Sequence, residues 1–221
     1  MSRALQSAGA SARRSPLDAW FRHPPSGRAP SSQAALRFED LSWRPRFGCK
    51  GPAAQAWLSG GGYKVPPMPN TTAVDSAGVL VASLGTAEFL VEAMDGGDDH
   101  ISSAIQHLAS AGRPPDVYPV ARFDLVLGIS GPGTDALLRQ ICSVNFAPLL
   151  ASAERHAGPV ILTSMIGVGV AAWPRLSELG PAVTLWIDPS FAHYFWTTLL
   201  EVGHETGGVT IGESNAVGHI P

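Results

Sequence analysis

Leu127-Gly128-Ile129-Ser130-Gly131-Pro132-Gly133-Thr134-Asp135-Ala136-Leu137-Leu138 restates, 80 residues later, the stretch Phe47-Gly48-Cys49-Lys50-Gly51-Pro52-Ala53-Ala54-Gln55-Ala56-Trp57-Leu58. Gly48/Gly128, Gly51/Gly131, Pro52/Pro132, Ala56/Ala136 and Leu58/Leu138 are identical. Each copy reads as a strand, a tight turn and a helix start. The Gly falls where an N-cap belongs, and the Pro falls at the first helical position, where its missing N–H costs nothing. Two copies of one unit imply a duplicated, pseudo-symmetric α+β body. The alternative is chance, because Gly-Pro before a small-residue helix is common.

Composition bounds what such a body does. A chain of 221 residues makes one large domain or two small ones. With 45% hydrophobic residues it buries a sizeable core. Only 15% of residues are charged, against about 25% in ordinary soluble domains. Gly (24) and Pro (19) are also abundant. A surface poor in charge is often one that another protein covers, which hints at a subunit. The net charge of −3 gives no basis for binding nucleic acid. Two cysteines, Cys49 and Cys142, are too few for a disulfide framework and fit buried thiols in a reducing compartment.

Residues 1–35 stand apart as a flexible basic arm. They carry Arg3, Arg13, Arg14, Arg22 and Arg28, with Asp18 the only acidic residue. No apolar run marks a secretory signal. The composition also fits a transit peptide. The reading adopted is an arm with an apolar anchor, Pro16-Leu17-Asp18-Ala19-Trp20-Phe21, that orders on a partner.

Residues 36–212 form the body, with halves at about 36–112 and 119–212, and 213–221 form a tail. The first half reads as a strand over Arg46–Lys50, a helix over Pro52–Ser59, a proline-rich loop over Lys64–Asn70, and strands over Val79–Leu84 and Phe89–Ala93. A helix from about Ile101 to Ala111 follows Gly96-Gly97-Asp98-Asp99, with Ile101, Ile105, Leu108 and Ala109 on one face. Gly112–Tyr118 links the halves. The second half begins with an alternating strand through Phe123, Leu125, Leu127 and Ile129, then a helix with Leu137, Leu138, Ile141 and Cys142 at helical spacing. Val160–Ala172 reads as two strands bent at Gly167 or Gly169, and Val183–Ile187 as another strand. Asp188 or Ser190 caps a last helix bearing Phe191, Tyr194, Phe195, Trp196 and Leu199. Each half is thus roughly β-α-β-β-α. The run Ala157–Pro174 has 18 residues without a charge, short of the ~20 that span a bilayer, and Gly and Pro interrupt it, so buried strands fit it better.

Several motifs invite a chemical reading. Gly128-Ile129-Ser130-Gly131-Pro132 has the strand–turn–helix setting of a nucleophile elbow, but Pro132 stands where that motif needs glycine, and the first copy has Lys50 in place of Ser130. Ser130 therefore reads as a turn or cap residue. Gly167-Val168-Gly169 after a strand, with Asp188 about 20 residues on, has the spacing of a dinucleotide loop. Against it, Pro174 falls where the crossover helix needs an N–H. His204-Glu205 lacks the second histidine of a zinc helix, and His100 and His107, seven residues apart, cannot share one metal. No metal site is expected, and the aromatic residues of the last helix read as packing.

Four segments in order resemble a known family: Arg13-Arg14-Ser15-Pro16-Leu17, Val79–Val91 with Leu84-Gly85-Thr86-Ala87-Glu88-Phe89-Leu90, Leu127–Cys142, and Ile187-Asp188-Pro189-Ser190-Phe191-Ala192-His193-Tyr194-Phe195-Trp196. Together, over roughly residues 10–206, they are similar to the gamma subunits of heterotetrameric sarcosine oxidases and their relatives in N-methyl amino-acid oxidation. That family resembles the folate-binding fold of aminomethyltransferases, itself a pseudo-symmetric α+β body. The resemblance implies a small subunit of a cytoplasmic, bacterial oxidase that demethylates sarcosine or a similar N-methyl amino acid. It implies larger alpha and beta partner subunits that carry FAD, FMN, NAD, zinc and tetrahydrofolate.

Departures from the pattern suggest that the chain has no catalytic residue and no cofactor of its own. Active aminomethyltransferases use an aspartate pair on a glycine-containing strand, and by the resemblance that pair falls near Ala171-Ala172. Methyl groups cannot orient an amine or polarise a folate nitrogen. Asn145 stands where an aspartate is expected. Neither Glu205 nor Glu213 takes the role of the pterin-gripping glutamate, and the Gly-Cys-Tyr signature of iron–sulfur repair relatives is missing. Two other readings stay open: a folate-binding one-carbon acceptor module in its own right, and a dinucleotide-binding enzyme using the Gly167–Gly169 loop.

Overall fold

The computed structural model describes residues 15–22, 34–94, 97–110 and 114–211. Residues Arg3, Arg13, Arg14, Arg28, Gly96, Gly112 and Glu213, and the tail from 213, lie outside the described residues. Among the described residues, the fold is mixed α/β with two six-stranded, largely antiparallel sheets and six α-helices. Its described residues divide into two compact units. One takes 44–122 and 156–160; the other takes 15–43, 123–155 and 161–211. The units are discontinuous in sequence, so segment 36–43, expected with the first half, belongs with the second unit.

The sheet of the first unit runs β6(Tyr118–Val120)–β2(Arg46–Lys50)–β5(Glu88–Ala93)–β4(Val79–Ser83)–β3(Thr71–Val74)–β8(Ala157–Pro159), all antiparallel. Phe47, Cys49, Val79, Val81, Phe89 and Val91 alternate onto one face. There they bury Leu58 of helix α2 (Ala54–Gly60) and Ile101 and Ile105 of helix α3 (Asp98–Ser110). The side chains of His107, Leu108 and Ala109 lie outside the described residues.

The sheet of the second unit runs β12(Val209–Ile211)–β1(Leu36–Asp40)–β7(Leu125–Ser130)–β11(Gly180–Ile187)–β10(Val168–Ser177)–β9(Ile161–Met165). Only the β1–β12 pairing is parallel. Leu36, Phe38, Leu125, Leu127, Ile129, Val170, Leu185 and Ile187 form the core face. Against it lie Leu137, Leu138 and Ile141 of helix α4 (Thr134–Ile141), Leu150 of α5 (Ala147–Ala151), and Phe195, Trp196 and Leu199 of α6 (Ala192–Glu205). The expected aromatic packing of the last helix holds for Phe195 and Trp196, whereas Phe191 and Tyr194 are exposed. Phe123 also lies outside its expected strand and is exposed.

The strand β1 precedes β2 in sequence yet pairs with β7, while β6 precedes β7 and pairs with β2. The order β6-β2-β5-β4-β3 is matched by β1-β7-β11-β10-β9, with the two leading strands exchanged. The expected β-α-β-β-α pattern missed these leading strands, together with β3, β8, β12 and α5.

The N-terminal anchor packs on the second unit of the chain itself. Leu17 is 1% exposed within the second unit's core. The Ser15 hydroxyl donates to the Asp40 carboxylate, and the Leu17 N–H donates to Ser15 Oγ at 2.9 Å. Helix α1 (Asp18–Arg22) sets Trp20 and Phe21 on Trp196, with ring centroids 5.3 and 5.9 Å away. Burying Leu17 alone contributes about 1.5–3 kcal/mol.

Candidate functional site

The two quoted stretches fold into turns that agree hydrogen bond for hydrogen bond. Gly51 and Gly131 have φ of 120° and 117°, conformations that L side chains rarely adopt. The Gly51 N–H donates to Ala87 O (3.0 Å), and that of Gly131 donates to Pro181 O (3.1 Å). Their carbonyls accept from Ala54 N (3.0 Å) and Thr134 N (3.1 Å). Ala53 N donates to Asp116 O (3.3 Å), and Gly133 N to Ala35 O (3.0 Å). The glycine is therefore the corner of the turn, and the N-caps are Ala53 and Gly133. Expecting glycine at the N-cap and proline at the first helical position set both helix starts two residues too early. The chain needs the extra residues to reverse direction before the helix starts.

Ser130 ends β7, is 5% exposed, and has no hydrogen-bonded base among the described residues. Nothing there activates its hydroxyl. Lys50, its counterpart, pairs with Glu88 at 3.1 Å. Asp135 holds Arg139 at 2.9 Å one turn along an exposed helix face. Asn145 accepts from Ala147 N at 3.2 Å and opens α5. Asp188 accepts from Ser190 N at 2.8 Å and caps the 3₁₀ turn Pro189–Phe191; the hydrogen bonds from Ser190 hold its exposed carboxyl below the usual range. Lys50, Asp135, Asn145 and Asp188 each complete a local turn or an ion pair. Ala171 and Ala172 lie on β10, and Ala172 is fully buried in the core.

Gly167 closes a tight hairpin. β9 and β10 pair antiparallel from Met165↔Val168 to Ile161↔Ala172, and β10 pairs antiparallel with β11 from Val170↔Ile187 to Ser177↔Gly180. A dinucleotide loop needs parallel strands joined by a crossover helix. The antiparallel pairing removes the dinucleotide-binding reading of Gly167–Gly169.

Among the described residues, no group of three or more His, Cys, Asp or Glu could hold a metal ion. His100 stacks edge-on against Tyr63 at 5.4 Å. His204 and Glu205 close α6. Both cysteines are free thiols; burial pushes the Cys49 thiol up to about 12, and Cys142 Sγ accepts from Val144 N at 3.4 Å. Sequence reasoning missed the ion pair between Arg46 and Glu92, 2.8 Å apart with both side chains fully buried. Its signal was a charged residue in each of two apolar strands, but alternation alone assigns such residues to solvent.

Neither a protein-family model nor any curated protein matches the chain. Solved structures do. A chain of the heterotetrameric sarcosine oxidase from Corynebacterium sp. U-96, solved with pyrrole 2-carboxylate, superposes with a TM-score of 0.67 at 20% identity, covering 91% of this chain and 100% of that one. The glycine cleavage system aminomethyltransferase T from Bartonella henselae superposes with a TM-score of 0.59 at 12% identity, covering 91% of this chain and 59% of that one. The fold is aminomethyltransferase-like. The folate-enzyme fold expected from the resemblance is thus the one the chain adopts. Among the described residues, no helix is long and apolar enough to cross a membrane.

Proposed function

We propose that this chain is the small, non-catalytic subunit of a multi-subunit flavin-dependent oxidase that demethylates sarcosine or a similar N-methyl amino acid. The carrying observation is coverage. The chain matches the whole length of the sarcosine oxidase chain but only 59% of the aminomethyltransferase chain. The span of the match is thus that of the sarcosine oxidase chain, which supports the subunit reading. The methyl groups of Ala171 and Ala172 on β10 support the same reading, since they cannot do acid–base work.

In this scheme a flavin on a partner subunit would supply the hydride acceptor for the N-methyl group, and tetrahydrofolate on a partner would supply the acceptor for the one-carbon unit. FAD, FMN, NAD and zinc also belong to the larger alpha and beta subunits. This chain braces the folate-type domain, in the cytoplasm, where its free thiols persist. We propose further that its body arose by duplication, a reading supported by the paired turns at Gly51 and Gly131 and by the matching strand orders.

Purification of the native protein tests the role. The expected result is co-purification with larger, flavin-bearing subunits. A lone protein carrying a bound pteridine refutes the role and favours a folate-binding module.

A further inference from the structure

The second unit's sheet ends on an edge that lacks the usual safeguards. Among the described residues, β10 is the one strand that pairs with β9. One end of its outer side is closed, where Cys142 bridges to Met165 and Ile166 N donates to Ile141 O at 2.9 Å. Thr163 Oγ1 also lies 3.7 Å from Cys142 Sγ, but among the described residues no strand pairs with the outer side of residues 161–164. Leu162 is 57% exposed, and Ser164 is exposed beside it. Natural edge strands carry lysine, proline, bulges or inward charges that prevent pairing with other chains. β9 has none of these: its sequence is Ile-Leu-Thr-Ser-Met, its ladder with β10 is unbroken, and residues 157–174 contain no charge.

The hairpin is also held firmly. Ile166 sits at φ 44°, which is costly for a β-branched residue. Its carbonyl accepts from the Tyr194 hydroxyl at 3.0 Å, and its side chain packs on the core. Strain persists where the surroundings over-determine it, often at functional positions. On the strand face that bears Leu162, the neighbouring β10 residues are small: Gly169 is exposed with open space around it, and Ala171 is half-buried.

The other sheet indicates what fits such an edge. In the order β2-β5-β4-β3, the fourth strand corresponds in place to β9 of β7-β11-β10-β9, and β3 is covered by β8. That covering strand is Ala157-Gly158-Pro159, which is short, antiparallel, uncharged and distant from β3 in sequence. Among the described residues, no strand occupies the corresponding place outside β9.

We infer, building on the subunit role proposed above, that the open edge of β9 receives a short, extended, uncharged segment of a larger partner subunit as a seventh strand. Main-chain hydrogen bonds supply the attachment, and Leu162 with the low ledge of Gly169 and Ala171 receives an apolar side chain of the added strand.

The test uses the full chain reconstituted with the larger subunits. Hydrogen exchange is measured across residues 161–164 in the free chain and in the complex. Affinity is measured for Leu162→Lys, Ser164→Lys and, as a control on an exposed hairpin tip, Glu178→Lys. These exposed substitutions should move the Tm of the isolated chain by no more than about 2 °C. The expected result is slowed exchange at 161–164 in the complex. Each edge lysine should weaken association by about tenfold or more, with no change for the control. A complex that forms with unchanged exchange at 161–164 and wild-type affinity for both lysine variants overturns the inference and leaves the subunit role standing. Self-pairing through 161–164, abolished by the lysines, overturns it in favour of a second copy of this chain. If the wild-type chain binds no larger subunit, the subunit role fails and the docked strand fails with it.

Discussion

Replacing Gly131 with alanine tests whether the two turns are built as described. Gly131 has φ +117°, and a Cβ there would lie 2.5 Å from the Ala35 carbonyl oxygen, which already accepts from Gly133 N. That is far inside the roughly 3.5 Å contact distance of non-bonded heavy atoms. Two costs add. The left-handed backbone with a side chain costs about 1–2 kcal/mol, and pushing the start of β1 aside costs about 1–3 kcal/mol more. The sum of about 2–5 kcal/mol lowers Tm by about 4–20 °C for a chain of this size. Two control glycines separate the terms. Gly167 has φ +80° in open space, so its alanine variant shows the backbone cost alone, about 1–2 kcal/mol. Gly169 has ordinary φ and open space, so its variant stays within about 0.5 kcal/mol of wild type. Gly51→Ala should match Gly131→Ala or exceed it, because its Cβ would meet Asp116 O at 2.2 Å. Urea unfolding followed by tryptophan fluorescence measures all four. If Gly131→Ala costs no more than Gly167→Ala, the close approach of Ala35 is not real and the turn has been misread.

Four further outcomes follow from the same structure. Leu138, fully buried, should cost about 2–5 kcal/mol on truncation to alanine, measured by the same unfolding assay. Deleting residues 1–22, or making Leu17→Ala, should lower the Tm of the isolated chain, because the anchor packs on Trp196 and the core; an arm ordered only by a partner would leave it unchanged. The Cys49 thiol, raised from 9.0 to about 12 by burial, keeps its proton in the folded chain at pH values where the unfolded chain loses it. Its contribution to stability is therefore complete below about pH 9 and lost as pH rises toward about 12, and Cys49→Ala should remove that part of the alkaline slope. Alanine at Ser130, Asp135, Asn145 or Asp188 should change kcat of the assembled complex by less than about tenfold, below the 10²–10⁴ of a lost acid–base group.

The sequence made legible those elements whose side chains alternate against a core within a single segment. Arg46–Lys50 matches β2 residue for residue, and the strands near Val79, Phe89, Leu125 and Val183 lie where alternation places them. Other elements carried too little local signal. β6 and β8 are three-residue edge strands containing Pro119 and Pro159, positions that only an edge tolerates. β1 alternates well as Leu36-Arg37-Phe38-Glu39-Asp40, but it follows a basic, proline-rich stretch whose composition hides it. The exchange of β1 and β6 could not be read from sequence at all. Pairing partners far apart in the chain are chosen by tertiary packing, and no local pattern records the choice.

Sequence located the candidate site residues without revealing their roles, and the reason is physical. Serine, aspartate and asparagine at strand–turn–helix junctions satisfy backbone groups as readily as they bind substrates. Asp188 on Ser190 N and Asn145 on Ala147 N are engaged in that way, and Asp135 is held in an ion pair with Arg139. The Arg46–Glu92 pair shows the converse. Two charges with no exposed side-chain surface stay buried only when each meets the other, and breaking such a pair costs about 3–5 kcal/mol. A fully buried ion pair in the first unit thus sits on two strands where a sequence pattern assigns charge to solvent. Its stake is structural integrity, so Glu92→Gln should be read out first as stability. A loss of turnover in the assembled complex with Tm unchanged would give that pair a role in the reaction and refute the non-catalytic reading of this chain.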